Sequence, residues 1–284
     1  MLIGYQGVEG SYSELACRKF AGGAEYHMKG YPTFRTLVRA MMDGQLDYIA
    51  LPVENSTSGP ITRTIDLMKY LEVSAVREVY IKIDHALIMK SAAEMSEITT
   101  VYSHPEALEQ CYSYLSEYPN IEVREYTDTA EAVKMVKETG DPHIAGIAGS
   151  HAAALYDMTV IRENISDNPL NTTRFLFFRR GVQDSRPGTN KTSLYIESDH
   201  STGSLSEILN IFSRHGINLL NLTSRPIQHK PFSYGFFIDV EKGREDSVLA
   251  EALEDVGHVS KYINMLGTYQ KGEIPSYEKV LINE

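Results

Sequence analysis

Asn171, Thr172, Thr173 and Arg174 stand directly before an apolar run, Phe175 to Phe178, in the stretch NTTRFLFFRR. Three hydrogen-bonding side chains and a permanently charged guanidinium beside a dry wall are groups that could hold an anion against an apolar surface. The same residues also suit a capped, half-buried strand entrance, because Thr and Phe favour strands and Asn favours turns. A second polar cluster, Glu54, Asn55 and Ser56, follows the apolar segment LDYIALPV and runs on to Gly59. A third lies at Ser11, behind the glycine-bearing stretch QGVEG.

These clusters need elements to place them. Leu2 to Tyr5 is a short apolar strand, and the spacing of Leu15, Ala16 and Phe20 suits an amphipathic helix that Ser11 would cap. TFRTLVRAMMDG predicts a helix stopped at Gly44, LDYIALPV a buried strand, and ENSTSGPITRTIDLM a polar turn leading into a helix. VREVYIKIDHALIM is strand-forming. TTVYSHPEALEQCYSYL, IEVREYTDTAEAVKMVKE and HIAGIAGSHAAALY each pass from strand to helix across a polar joint. This alternation predicts a mostly parallel, helix-covered sheet or a pair of them, with ligands gathering at the carboxyl ends of the strands. GVQDSRPGTN, residues 181–190, has the composition of a linker. Beyond it the order is βαββαβ, a ferredoxin-like module.

At 284 residues the chain is long enough for two or three units of roughly 100 to 150 residues. With 27 basic and 38 acidic residues its net charge is -11, which argues against nucleic acid or an anionic membrane as partner. An anionic ligand would have to be bound by local groups against that field. The start of the sequence has no basic leader followed by an apolar core, and no apolar run approaches the length of a membrane span, so a soluble cytoplasmic chain is expected. Cys17 and Cys111 are too few for a disulfide framework or a zinc cluster, and the nine histidines form no HxxxH or HExxH pattern. Neither a metal nor a cofactor is expected.

Taken in order, YQGVEGSYSELA, LPVENSTSG, SHPEALEQC, DTAEAV, IAGSHAAALY, NISDNPLNTTRF and, after the linker, INLLNLTSRP resemble prephenate dehydratase followed by an ACT regulatory domain. The matches span nearly the whole chain, and the ENS and TRF elements are the most specific. The resemblance implies an α/β fold: a two-lobed catalytic region like the type 2 periplasmic binding proteins, over residues 1–181, then a ferredoxin-like βαββαβ ACT domain over residues 191–272. Lobe 1 would take residues 1 to about 80 plus 168–181, and lobe 2 the stretch from about 81 to 167.

The implied reaction is loss of carbon dioxide and water from prephenate to give phenylpyruvate, a carbon–oxygen lyase activity. Thr173 is then expected to hydrogen-bond the leaving hydroxyl, with Asn55 and Ser56 as its catalytic companions. Arg174 is expected to grip the side-chain carboxylate and Phe175 to offer a dry wall to the carboxylate that departs. Ser11, Thr172 and Gly59 join the expected substrate contacts, and Glu54, which repels anions, would orient a neighbour. His104 is a second-rank proton donor. In the ACT module the resemblance implies an L-phenylalanine site formed by Gly203, Ser204 and Leu205 with Asn218, Leu219, Asn221, Ser224, Arg225 and Pro226, at a subunit interface of a homo-oligomer, expected to be a tetramer built as a dimer of dimers. Three positions depart from the family pattern: Thr223 for Glu, Glu106 for Gln and Asp128 for Ser. Rival readings are arogenate dehydratase, whose substrate carries an amine in place of the keto group, and a two-lobed anion-binding or sensor protein without catalysis.

Overall fold

The computed structural model describes residues 1–91, 95–182 and 187–275. The chain opens with β1 (Leu2–Gln6) and α1 (Tyr12–Ala21), which begins where the Ser11 hydroxyl accepts the Glu14 N–H and ends at Gly22 in the left-handed conformation. After β2 (His27–Tyr31), α2 (Phe34–Met42) starts in a reciprocal capping box between Thr33 and Thr36. β3 (Tyr48–Asn55) is buried along most of its length. It turns back through the two-residue β4 (Gly59–Pro60) into a single helical turn, α3 (Thr62–Ile65).

The apolar segment expected as one strand is two, β5 (Val73–Lys82) and β6 (His85–Met89), because the chain leaves one sheet at Ile83 and Asp84 and enters another. The second lobe continues with β7 (Thr100–Ser103), the short helices α4 (Pro105–Glu109) and α5 (Tyr112–Ser116), β8 (Glu122–Glu125), α6 (Thr129–Thr139), β9 (Ile144–Gly149), α7 (Ser150–Tyr156) and β10 (Thr159–Arg162). Then β11 (Thr172–Arg180) returns to the first lobe and inserts between β3 and β5, antiparallel to both. The last unit is β12 (Lys191–Ser198), α8 (Ser204–Arg214), β13 (Leu219–Pro226), β14 (Tyr234–Val240), α9 (Ser247–Val259) and β15 (Ser260–Tyr269), the expected βαββαβ order. The linker assigned to residues 181–190 falls partly on 183–186, outside the described residues.

The sheets of the two lobes are mixed rather than mostly parallel. The second-lobe sheet runs β10-β6-β9-β7-β8, with β6 antiparallel to both of its neighbours. The first-lobe sheet runs β5-β11-β3-β1-β2, and its parallel pairing is confined to β3-β1-β2 among these strands. It is also continuous with the sheet of the C-terminal unit, through a single parallel pairing of Gly267 on β15 with Ala75 on β5. Gly267 has φ 149°, and a Cβ there would stand 2.3 Å from the Ala75 nitrogen, so this junction needs glycine.

Each layer has its own core. α1 covers one face of the first-lobe sheet with Ala16, Cys17 and Phe20 against Phe175 and Phe177. On the other face, Leu37 and Met41 of α2 join a cluster that includes Leu176, Phe178, Tyr195 and Phe237. The C-terminal sheet is therefore packed onto the first lobe, not tethered beside it. Both cysteines are buried free thiols, and burial pushes both pKa values up, Cys111 to about 12. Among the described residues no helix is long and apolar enough to cross a membrane.

Candidate active site

A cleft of about 330 Å³ lies between the two lobes. Its first-lobe wall carries Tyr12, Phe34, Asn55, Arg63, Thr173 and Phe175, and its second-lobe wall carries His104, Glu106, Gln110 and Asp128. A larger cavity of about 650 Å³ lies elsewhere, between β5 and β15, and includes none of the residues expected to bind substrate. The interlobe cleft is where the polar groups singled out in the sequence converge.

Successive strand residues point to opposite faces of a sheet. Thr173 and Phe175 of β11 accordingly line the cleft. Arg174, between them, points the other way, which corrects the expectation that it grips substrate. Its Nε meets Glu78 Oε2 at 2.6 Å, its Nη1 meets Asp239 Oδ2 at 2.6 Å, and its Nη2 donates to the Tyr269 hydroxyl at 3.0 Å. Lys191 joins the same knot at 2.6 Å from Glu78. Burial opposes the charge of Arg174, but Asp239, Tyr269 and Glu78 outweigh it and hold the guanidinium charged. Glu54 accepts from Arg174 Nη1 at 3.4 Å and from Asn221 Nδ2 at 3.2 Å, so it faces the C-terminal unit.

The Asn55 amide organises the floor of the cleft. Its Oδ1 accepts the backbone N–H groups of Thr57 and Ser58, each at 2.9 Å. Its Nδ2 is thereby left to donate to Asn171 Oδ1 at 2.7 Å and to Thr173 Oγ1 at 3.0 Å. With Oγ1 accepting and no acceptor for its O–H among the described residues, Thr173 can donate into the cleft. Ser56 instead ties the β3 turn to the entrance of β11, accepting the Thr172 N–H at 2.9 Å and donating to the Leu170 carbonyl. Thr172 donates to the same carbonyl and does not line the cleft. Gly59, expected at a helix start, pairs with Asn55 in the tight β3–β4 return at φ 81°, so its amide is not at a helix N-terminus. Ser11 is the α1 cap, buried behind the cleft wall.

Several cleft residues were not singled out from the sequence. Arg63 on α3 stacks over Phe34, 5.3 Å from the ring centroid, and has no carboxylate partner among the described residues. Gln110 and the buried His85 meet there, with Gln110 Oε1 3.0 Å from His85 Nε2. Burial lowers the pKa of His85 and outweighs the opposing hydrogen bond to Gln110. A titratable residue inside the apolar stretch IKIDHALIM was a readable signal of a buried polar role. His104 caps α4 through Nδ1, which accepts the Glu106 N–H. Glu106 reaches across the cleft to accept the Ser58 hydroxyl at 2.5 Å. Asp128 caps α6; its burial raises its pKa against the two N–H groups it accepts.

The residues assigned to the effector do not all meet in one chain. Ser204 and Leu205 line a surface cavity of about 340 Å³ with Asp199, His200, Tyr234 and Phe236, beside Gly203, which caps α8. Asn221 and Arg225, alternating along β13, face the catalytic lobe, where Arg225 Nη2 meets Asp66 Oδ2 at 2.6 Å and Lys69 donates to the Pro226 carbonyl. Asn218 donates to Glu241, Leu219 packs on the C-terminal core, and Ser224 faces outward.

Residues 3–183 match the family model for prephenate dehydratase, and residues 192–258 match that for the ACT domain. A bifunctional chorismate mutase/prephenate dehydratase of Neisseria gonorrhoeae is 34% identical over 270 residues, covering 95% of this chain and 74% of that protein. Its counterpart in Escherichia coli K12 is 32% identical over 273 residues, 94% of this chain and 70% of that one. Among solved structures, a prephenate dehydratase from Arthrobacter aurescens in complex with L-Phe superposes with TM-score 0.87 at 29% identity, covering 95% of this chain and 90% of that one. GqqA, described as a quorum quenching acylase, superposes with TM-score 0.84 at 28% identity over 98% and 100% of the two chains. Its two-lobed catalytic region, like the type 2 periplasmic binding proteins, and the ACT module behind it place this chain in the prephenate dehydratase family.

Proposed function

We propose that the interlobe cleft converts prephenate to phenylpyruvate, a carbon–oxygen lyase reaction, and that Thr173 is the group that acts on the leaving hydroxyl. The observation that carries this reading is the polarity of the Asn55 amide: fixed by two backbone N–H groups, it makes Thr173 Oγ1 an acceptor and leaves its O–H for the substrate. As the ring carboxylate departs as carbon dioxide, the electron pair of the broken bond enters the ring and the hydroxyl leaves from the far carbon. The Thr173 O–H stabilises negative charge on that oxygen, and one proton from solvent completes the water. A threonine hydroxyl is too weak an acid to supply that proton alone.

Arg63 takes the role first given to Arg174. It is the cleft cation without a carboxylate partner among the described residues, and a guanidinium matches a side-chain carboxylate. Phe175 and Ile83 give the departing carboxylate a poorly solvating wall. L-Phenylalanine is the proposed effector, bound through the ACT cavity beside Gly203 and completed by a second subunit. β13 is a sheet edge with Leu222 42% exposed, which suits pairing in a homotetramer; light scattering that gives a monomer would contradict it. The proposed setting is the cytoplasm.

Replacing Thr173 by Val removes the O–H and keeps the shape. Turnover is expected to fall about 10² to 10³-fold, while Thr173→Ser keeps most of it. Equal activity in Thr173→Val and the unaltered chain would overturn the assignment. One observation favours arogenate as a second reading: Glu106 and Asp128 place carboxylates in the cleft, complementary to an ammonium group. Comparing kcat/KM for the two substrates decides between them.

A further inference from the structure

One strand touches both the proposed effector cavity and the back of the catalytic cleft. β13 is a sheet edge, paired among the described residues with β14 alone. In that pairing Ser224 and Pro226 lie opposite Phe236 and Tyr234, which line the cavity beside Gly203. Asn221, Thr223 and Arg225, which alternate with them, take the opposite face of the strand, toward the first lobe. Arg225 grips Asp66 with two donors, Nε at 3.0 Å and Nη2 at 2.6 Å, and Lys69 bridges Asp66 to the Pro226 carbonyl. Asp66 ends α3, the single turn that carries Arg63 into the cleft. Farther along β13, the Thr223 hydroxyl donates to Asn221 Oδ1 at 3.0 Å, which turns Asn221 Nδ2 toward Glu54. Glu54 is the neighbour of Asn55 on β3. A void of about 40 Å³ beneath β13, lined by Val53, Arg174, Asn221 and Thr223, leaves the strand room to shift.

We propose that Asp66 and Glu54 are positioning residues through which β13 sets where Arg63 and Asn55 stand in the cleft, and that an effector in the ACT cavity acts on the reaction by this route. The inference rests on the regulatory reading of that cavity given above. A paired strand moves as a unit, so a ligand that displaces Tyr234 and Phe236 shifts Pro226 and Ser224, and with them the inward-facing Arg225 and Asn221. Because α3 is one turn long, a pull on Asp66 reaches Arg63 directly. Thr223 belongs to the same device: with its hydroxyl on Asn221 Oδ1, the amide presents a donor, not an acceptor, to the Glu54 carboxylate.

The test uses the full chain and follows L-phenylalanine in two ways, by calorimetric binding and by the factor through which it changes kcat/KM for prephenate. That factor is taken relative to each variant's own value without phenylalanine. Asp66→Asn keeps the size of the side chain and removes the charge that Arg225 and Lys69 share. Phenylalanine is expected to bind it with an affinity within about threefold of the unaltered chain, while the factor shrinks on the order of fivefold or more, toward no effect. Thr223→Val, which frees the Asn221 amide to turn, is expected to shrink the factor less, and serves if Asp66→Asn does not fold. A purely structural role would lower the melting temperature and leave the factor unchanged, which would overturn the proposal. Loss of phenylalanine binding in a folded variant would overturn it too, since these residues would then form the effector site itself. An unaltered chain that turns over prephenate without responding to phenylalanine would overturn the regulatory reading, and this inference with it, while leaving the dehydratase reading intact.

Discussion

Arg174 carries a charge into a place where an unpaired charge is costly, and Glu78, Asp239 and Tyr269 offset that cost. Replacing it by Met would leave two buried carboxylates, Glu78 and Asp239, sharing Lys191 as the one cation close to both among the described residues. Arg174→Met is therefore expected to lose about 3 to 5 kcal/mol of stability in urea titration, with KM for prephenate unchanged in the protein that remains folded. A stable variant with a raised KM would return Arg174 to substrate binding. The residue types at 171–174 and 54–56 were legible as polar machinery, and Asn55 and Thr173 are joined as the two clusters suggest. The direction of Arg174 was also legible, since neighbours on a strand cannot both face one cleft, but resemblance and charge chemistry drew it to the ligand. Arg63, Gln110 and His85 were not legible in the same way. Gln110 and His85 take their meaning from contacts across 61 and 25 residues of sequence, Asn171 with Gln110 and Gln110 with His85, and Arg63 from its place over Phe34.

At the scale of elements, β11 does most of the positioning. It leaves the second lobe, inserts between β3 and β5, and so brings Thr173 opposite Asn55 in register. The pairing with β3 shifts register between Arg174 and Phe175, at the level of the polar groups. Strand and helix order was readable from periodicity, and the βαββαβ order of the C-terminal unit emerged as expected. Strand direction was not readable, because a returning strand of the same apolar composition can insert either way. The break between β5 and β6 was hidden for a similar reason: both halves are apolar and buried, one in each sheet. The junction of β5 with β15 depends on Gly267. Gly267→Val adds a side chain against the Ala75 backbone at positive φ, and is expected to cost more than about 2 kcal/mol in chemical denaturation. Unchanged stability would mean that the two sheets are not joined there.

At the scale of the whole molecule, the continuous sheet and the Arg174 knot bind the catalytic first lobe to the ACT module. Asp66 adds to this interface. Burial would raise its carboxyl, but hydrogen bonds from Arg225 and Lys69 and their charges hold it below its ordinary value. Its contribution is present above the ordinary carboxylate range and is lost as pH falls through the lowered value. A different window belongs to His85 and His151, both held below 6.5 chiefly by burial. The unfolded chain takes up those protons first as pH falls, so stability is expected to decline from about pH 7 toward about pH 5. His85→Gln should flatten that slope in thermal melts recorded across the range, and a slope as steep as that of the unaltered chain would contradict the assignment. The most direct measurement is phenylpyruvate formation from prephenate by the purified full chain, with and without L-phenylalanine. Turnover that phenylalanine changes is the predicted result. A chain that binds phenylalanine and leaves prephenate intact would contradict the account, because the Asn55–Thr173 pair would then be a scaffold without the reaction.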